Sequence, residues 1–284
     1  MRALITLILA TSAACGGDGD ITGVTHTVSV NGVTRTYRLV VPPAPSSRPM
    51  PLVLAFHGGG GRDVAFPQEP AFRSLAHEQG FVIAYPLAEH RPGNEGEWQL
   101  NTTALLRHDM DFLEALIDQV SAQHAIDENR IYATGYSLGS MFSYELPCHL
   151  SERFAAIASH AGTMPVSPSS CSPTQPMGIL HLHGTEDSII PYATSWNWKA
   201  WDQVGPMRDI PSLIEFWRNA YRCEAQDQPA SADSRHIIHA SCDSGVRVEH
   251  HQLTGVGHEW PDEINGTSTH RVIWNFLSGF SRSL

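Results

Sequence analysis

The sequence is short of positive charge. Its 284 residues carry 18 Lys and Arg against 29 Asp and Glu, for a net charge of −11. Nucleic-acid binding relies on Lys and Arg to neutralise phosphates, so a nucleic-acid partner is excluded. Long apolar runs are missing too: none approaches the roughly 18 residues needed to span a bilayer. Cysteine is scarce, at five residues. No Cys-x2-Cys or His-Glu-x-x-His spacing occurs, so no metal site is expected despite 16 histidines. Internal repeats and long low-complexity segments are absent. What is present is a chain 42% hydrophobic and only 17% charged, which supplies a sizeable core.

The N-terminus has the order of a secretory signal. Met1-Arg2 brings one positive charge, Ala3 to Ala10 is apolar, and small residues lead to Cys15. Cys15 after Ala13-Ala14 resembles a bacterial lipoprotein processing site, at which the cysteine takes lipid. Ser12 stands where that pattern usually has Leu. The expectation is a leader over 1–14, a flexible Gly/Asp tether over 15–23 and one catalytic domain over 24–284. The protein would be exported, either secreted or lipid-anchored in a bacterial envelope, with membrane contact only through that lipid. In an exported chain, the other cysteines read as two disulfides, Cys148 with Cys171 and Cys223 with Cys242.

Alternating residues from Thr25 to Val30 and from Val33 to Val41, joined by Asn31-Gly32, predict a β-hairpin. Continuous apolar runs predict buried strands at Leu52–Phe56, Phe81–Tyr85, Ile131–Thr134, Ala155–Ser159 and Gly178–His183, with a late strand over Val246–Leu253. Helices are predicted at Phe72–Gln79, Asp109–Ala122, Met141–Leu150 and Ser268–Phe280. This alternation implies an α/β fold, a mostly parallel sheet with helices on both faces, opened by an antiparallel hairpin. Such sheets place their chemistry at the carboxyl ends of the strands. Tyr192 to Arg222, which holds Trp196, Trp198, Trp201 and Trp217, breaks the rhythm and reads as a Trp-rich insertion plus one helix.

Gly135-Tyr136-Ser137-Leu138-Gly139 lies between a predicted strand and a predicted helix. A sharp turn there pushes the Ser137 hydroxyl out of the sheet, and glycine on either side avoids clashes in the bend. The following backbone N–H groups can face a developing oxyanion. His57 to Gly61 forms a glycine loop after an earlier strand. The backbone N–H groups of Gly59 and Leu138 are the candidate oxyanion donors. Asp187 follows the strand that ends in His183, where a carboxylate can orient a histidine and stabilise its imidazolium. Glu186 and Asp202 are rivals in less defined positions. His258, in the glycine-rich loop after the last predicted strand, is the candidate general base. His250 and His251 sit inside a strand and read as structural or exposed; His181 and His183 read as packing or hydrogen-bonding near the site.

The segments HGGGG, GYSLGS, HGTEDSIIPY and GVGHEWP resemble the secreted esterases grouped with poly(3-hydroxybutyrate) depolymerases, feruloyl esterases and acetylxylan esterases, within the α/β-hydrolases. The resemblance implies a serine esterase with Ser137 as nucleophile, Asp187 as acid, His258 as base and no cofactor. Asp109, in a departure from the family's Asp-Asp-Val-Gly-Phe helix start, is left with any buttressing role. Feruloyl, acetyl or hydroxyalkanoate esters, from plant polysaccharide or polyester, are the expected substrates. Trp98, Tyr136 and Trp260 are the candidate substrate-binding residues. A serine peptidase of the same fold and a non-catalytic, glycan-binding surface lipoprotein are the alternative readings.

Overall fold

The computed structural model describes residues 23–43, 48–60, 65–91, 94–168, 171, 173–197, 205–227 and 234–282. The predicted leader, Cys15, most of the tether, Gly61, Trp198, Trp201 and Asp202 lie outside the described residues.

Ten strands form the main sheet. They are β1 (Val24–Val30), β2 (Val33–Val40), β3 (Met50–Phe56), β4 (Val82–Pro86), β5 (Ile126–Tyr136), β6 (Ala156–His160), β7 (Gly178–Gly184), β8 (Glu224–Asp227), β9 (Ser234–Ala240) and β10 (Val248–Leu253). Their spatial order is β1-β2-β4-β3-β5-β6-β7-β10-β9-β8. The six strands from β4 to β10 in that order run parallel to their neighbours. Antiparallel pairs close both margins: β1 with β2, β2 with β4, β10 with β9 and β9 with β8. The helices are α1 (Glu69–Gln79), α2 (His108–Gln123), α3 (Leu138–Ser143), α4 (Glu145–His149), α5 (Ile210–Ala220) and α6 (Thr269–Leu277). This is the mostly parallel sheet with an N-terminal antiparallel hairpin that the sequence pattern predicts.

The reasons are local. Asn31 and Gly32 both adopt positive φ, the backbone of the tight turn that joins β1 to β2. β3, β4, β6 and β7 are buried at every position, as their unbroken apolar runs require. Helix α2 buries Phe112, Leu113, Leu116, Ile117 and Val120 on one face.

Two expectations change. The helix predicted over Met141–Leu150 is two short helices that meet at Tyr144. Pro147 lacks the N–H that would continue the helical bonds back across that junction. The predicted rhythm also ends too early at the far margin. The segment after the insertion supplies β8 and β9, which extend the sheet by two antiparallel strands. Of the insertion, Trp217 on α5 is fully buried and stacks on Tyr144 with centroids 6.0 Å apart, so it belongs to the core. Cys148 is joined to Cys171 and Cys223 to Cys242, the pairs expected from the sequence.

Candidate active site

Three loops at the carboxyl ends of β5, β7 and β10 meet at one place. Ser137 lies between β5 and α3 with φ 53° and ψ −119°, a backbone strained for a residue with a side chain. A Cβ on Gly135 would collide with the Gly139 carbonyl, and one on Gly139 with the Phe56 carbonyl. The tight turn therefore admits only glycine at both positions, and it aims Ser137 out of the sheet.

His258 Nε2 lies 2.9 Å from Ser137 Oγ, and His258 Nδ1 lies 2.7 Å from Asp187 Oδ2. The Asp187 side chain is fully buried, and its Oδ1 accepts from the backbone N–H groups of Ile189 (2.9 Å) and Ile190 (2.7 Å). Burial alone would raise its pKa. Hydrogen bonds from His183, His258 and the Ile190 amide outweigh burial and hold the carboxyl well below its usual range. Asp187 is therefore a fixed carboxylate. Its loop is zipped to that of His258: Glu186 N–H donates to the Val256 carbonyl at 3.0 Å, and Gly255 N–H donates to Thr185 Oγ1 at 2.9 Å.

The glycine loop after β3 packs over the same turn. A Cβ on Gly58 would sit 3.4 Å from Ser137 Cβ, and one on Gly59 would sit 3.5 Å from Leu138 Cδ2. His57 sets this loop. Its Nε2 accepts from Ala88 N–H at 3.1 Å, which leaves the proton on Nδ1 to reach the Gly58 carbonyl at 2.8 Å.

The three residues expected to touch substrate divide. Trp98 is fully buried, donates from Nε1 to the His57 carbonyl at 2.9 Å and stacks on Phe142. Its burial leaves no exposed face for substrate; it supports the glycine loop from beneath, which corrects the expectation. Tyr136 is half-buried, and its hydroxyl donates to the His258 carbonyl at 3.0 Å, so it braces the histidine loop. Trp260 keeps exposed surface while packing against His160, His270, Phe66 and Tyr136.

Asp109 is buried and accepts from Arg35 Nη2 at 2.6 Å and from Gln99 N–H at 2.8 Å. It thus ties β2 to the segment that carries Trp98. Glu145, not singled out from the sequence, accepts from the backbone N–H groups of Asn101 and Thr102, each at 2.9 Å.

His181 and His183, expected to pack or hydrogen-bond near the site, form a buried line behind Asp187. His183 Nε2 lies 2.9 Å from the Ile190 carbonyl and 3.3 Å from Asp187 Oδ2. A carbonyl only accepts, so that nitrogen carries the proton. His183 Nδ1 then accepts from His181 Nε2 at 3.2 Å, and His181 Nδ1 accepts from Tyr144 Oη at 2.7 Å. Burial and the neighbouring histidines keep His181 neutral. His160, at the end of β6, is buried against Trp260 with neither ring nitrogen bonded among the described residues. Burial, reinforced by His183 and His258, lowers its pKa to about 3. The sequence carries no signal for His160, because β6 becomes a neighbour of the site only through strand order.

A family described as Esterase PHB depolymerase matches residues 35–190, which hold Ser137 and Asp187 and stop short of His258. A bifunctional acetylxylan esterase/xylanase of Neocallimastix patriciarum is 27% identical over 245 residues, covering 83% of this chain and 31% of that protein. Feruloyl esterase B of Piromyces equi is 22% identical, covering 81% of this chain and 42% of that protein. The chain thus spans less than half the length of these two relatives. The solved acetyl xylan esterase from Aspergillus awamori superposes with a TM-score of 0.65 at 16% identity, covering 90% of this chain and 99% of that one. The sheet is thus an α/β-hydrolase sheet, and the chain belongs to the Esterase PHB depolymerase family.

Proposed function

We propose that this chain hydrolyses carboxylic esters through an acyl-enzyme formed on Ser137. The observation that carries the reading is the unbroken series Ser137 Oγ, His258, Asp187, with contacts of 2.9 and 2.7 Å. His258 Nε2 takes the Ser137 proton as Oγ attacks the ester carbonyl. Asp187 keeps the His258 proton on Nδ1 and stabilises the imidazolium that forms. The backbone N–H groups of Leu138 and Gly59 receive the oxyanion. His258 protonates the departing alcohol, then activates the water that releases the acid.

Acetyl or feruloyl esters of plant polysaccharide are the favoured substrates, because relatives with those named activities align along four fifths of the chain. Hydroxyalkanoate oligomers are the second class, favoured by the family description. Trp260, partly exposed beside Tyr136, supplies an aromatic face for a feruloyl ring or a sugar. The two disulfides favour an exported enzyme. Cys15 as a lipid anchor rests on the leader sequence.

Turnover of p-nitrophenyl acetate by the native chain and by Ser137→Ala tests the proposal. The variant should lose about 10^4-fold or more in kcat; equal turnover would end the assignment. A panel of methyl ferulate, acetylated xylan, hydroxybutyrate oligomers and peptide anilides ranks the substrates. Peptide anilides cleaved faster than matched esters would favour a peptidase instead.

A further inference from the structure

A second cluster of chemistry-bearing side chains sits on the margin of the sheet, on β9 and β10. Side chains two apart on a strand share a face, so Glu249 and His251 project together from β10. In the antiparallel register His236 of β9 lies opposite His251. Cross-strand partners face the same side, so all three side chains converge. The ligand atoms that they offer, one from each residue, all lie within 4.8 Å of one another. His236 Nε2 is 2.9 Å from Glu249 Oε2, and the two imidazole rings stack with centroids 3.9 Å apart.

We propose that His236, Glu249 and His251 bind one divalent transition-metal ion of the zinc class. Two imidazoles and one carboxylate are a donor set suited to zinc; calcium and magnesium prefer oxygen ligands alone. Three features separate this cluster from an ordinary ion pair. His251 is only 6% exposed, and its Nδ1 has no hydrogen-bond partner among the described residues, a costly state for a buried polar ring. Glu249 divides its oxygens: Arg247 Nε donates to Oε1, which orients the carboxylate, while Oε2 faces the histidine. The His236 side chain is 30% exposed, which leaves a route for the ion and an open position for water. The sequence hides the site, since Glu249-x-His251 and His236 are joined only by strand register. Bound metal would pin β9 to β10, the strand that leads into the loop of His258.

Calorimetric titration of the untagged full chain, stripped with chelator, against Zn2+ tests this directly. The expected result is one saturable equivalent per chain, with a rise in Tm on binding. His236→Ala and Glu249→Gln should each weaken Zn2+ binding by more than about tenfold, beyond the least effect of losing an outer-shell partner. His77→Ala, on α1, should leave binding unchanged. His236 is partly exposed, so its variant should fold, and circular dichroism of the metal-free protein checks that. The proposal is overturned if no one-to-one Zn2+ binding occurs. It is equally overturned if binding persists undiminished in folded His236→Ala and Glu249→Gln. Neither result depends on esterase turnover, so the proposed function stands or falls separately.

Discussion

The middle of the sheet and its margins are built by different rules. In β3, β4, β6 and β7 every residue is buried. On β1, by contrast, no position is buried, and exposed and half-buried residues alternate from Thr25 to Val30. In the middle, polar side chains mostly answer to one another: His181 bonds to His183 and Tyr144, and Ser140 to Ser159. At the far margin the imidazole of His236 meets a carboxylate that an arginine also holds. The buried middle fixes geometry from every side, so the loops at its strand ends can place atoms to within a hydrogen bond. The outermost strands, β1 and β8, have one neighbour strand each, and the far margin is held further by charge pairs and the Cys223–Cys242 disulfide.

The largest effect is expected at the strand ends. Asp187→Asn should leave the fold intact and reduce kcat for p-nitrophenyl acetate by about 10^4-fold, through the wrong His258 tautomer. A loss of less than tenfold would mean that the fixed carboxylate is dispensable. Next comes the link between margin and middle. Arg35 and Asp109 form a buried ion pair from β2 to α2, so Asp109→Asn leaves Arg35 uncompensated. We expect a loss of about 3–5 kcal/mol in denaturant unfolding. A loss below about 1 kcal/mol would show that the hairpin margin is held by pairing alone.

The smallest effect concerns pH. His160 has a folded pKa of about 3, lowered chiefly by burial, against about 6.5 when unfolded. Above pH 6.5 neither state is protonated, and its contribution to stability is fully present. As pH falls from 6.5 towards 3, the unfolded chain takes up a proton that the folded chain refuses, and stability declines. His160→Asn should flatten the stability curve by about 2 kcal/mol between pH 7 and pH 5. Unfolding midpoints across that range measure it, and identical slopes for both proteins would refute the buried neutral state.

Much of the middle was legible because it is written locally. Unbroken apolar runs marked the buried strands, and Asn31-Gly32 marked the hairpin turn. Ser137, Asp187 and His258 were legible for the same reason: each sits in a short loop with its own glycine signature. The far margin was not. Ser234 to Ala240 contains two histidines and an arginine, and whether a histidine is buried depends on a partner strand that sequence does not name. Trp98 was misjudged because a lone tryptophan looks the same whether it lines a cleft or supports a loop. The break at Tyr144 was foreseeable from Pro147. His160 was not, since only the order of strands brings it behind Trp260.

Helix α3 begins directly after Ser137 and ends directly before Tyr144. Ser137 leads through His258, Asp187, His183 and His181 to Tyr144, so the side-chain series returns to the other end of the same helix. The helix and the series together make a closed ring. A ring has no free end at which a misplaced link can relax. A shift in any one of these side chains must be shared by all the others, and the serine is always among them.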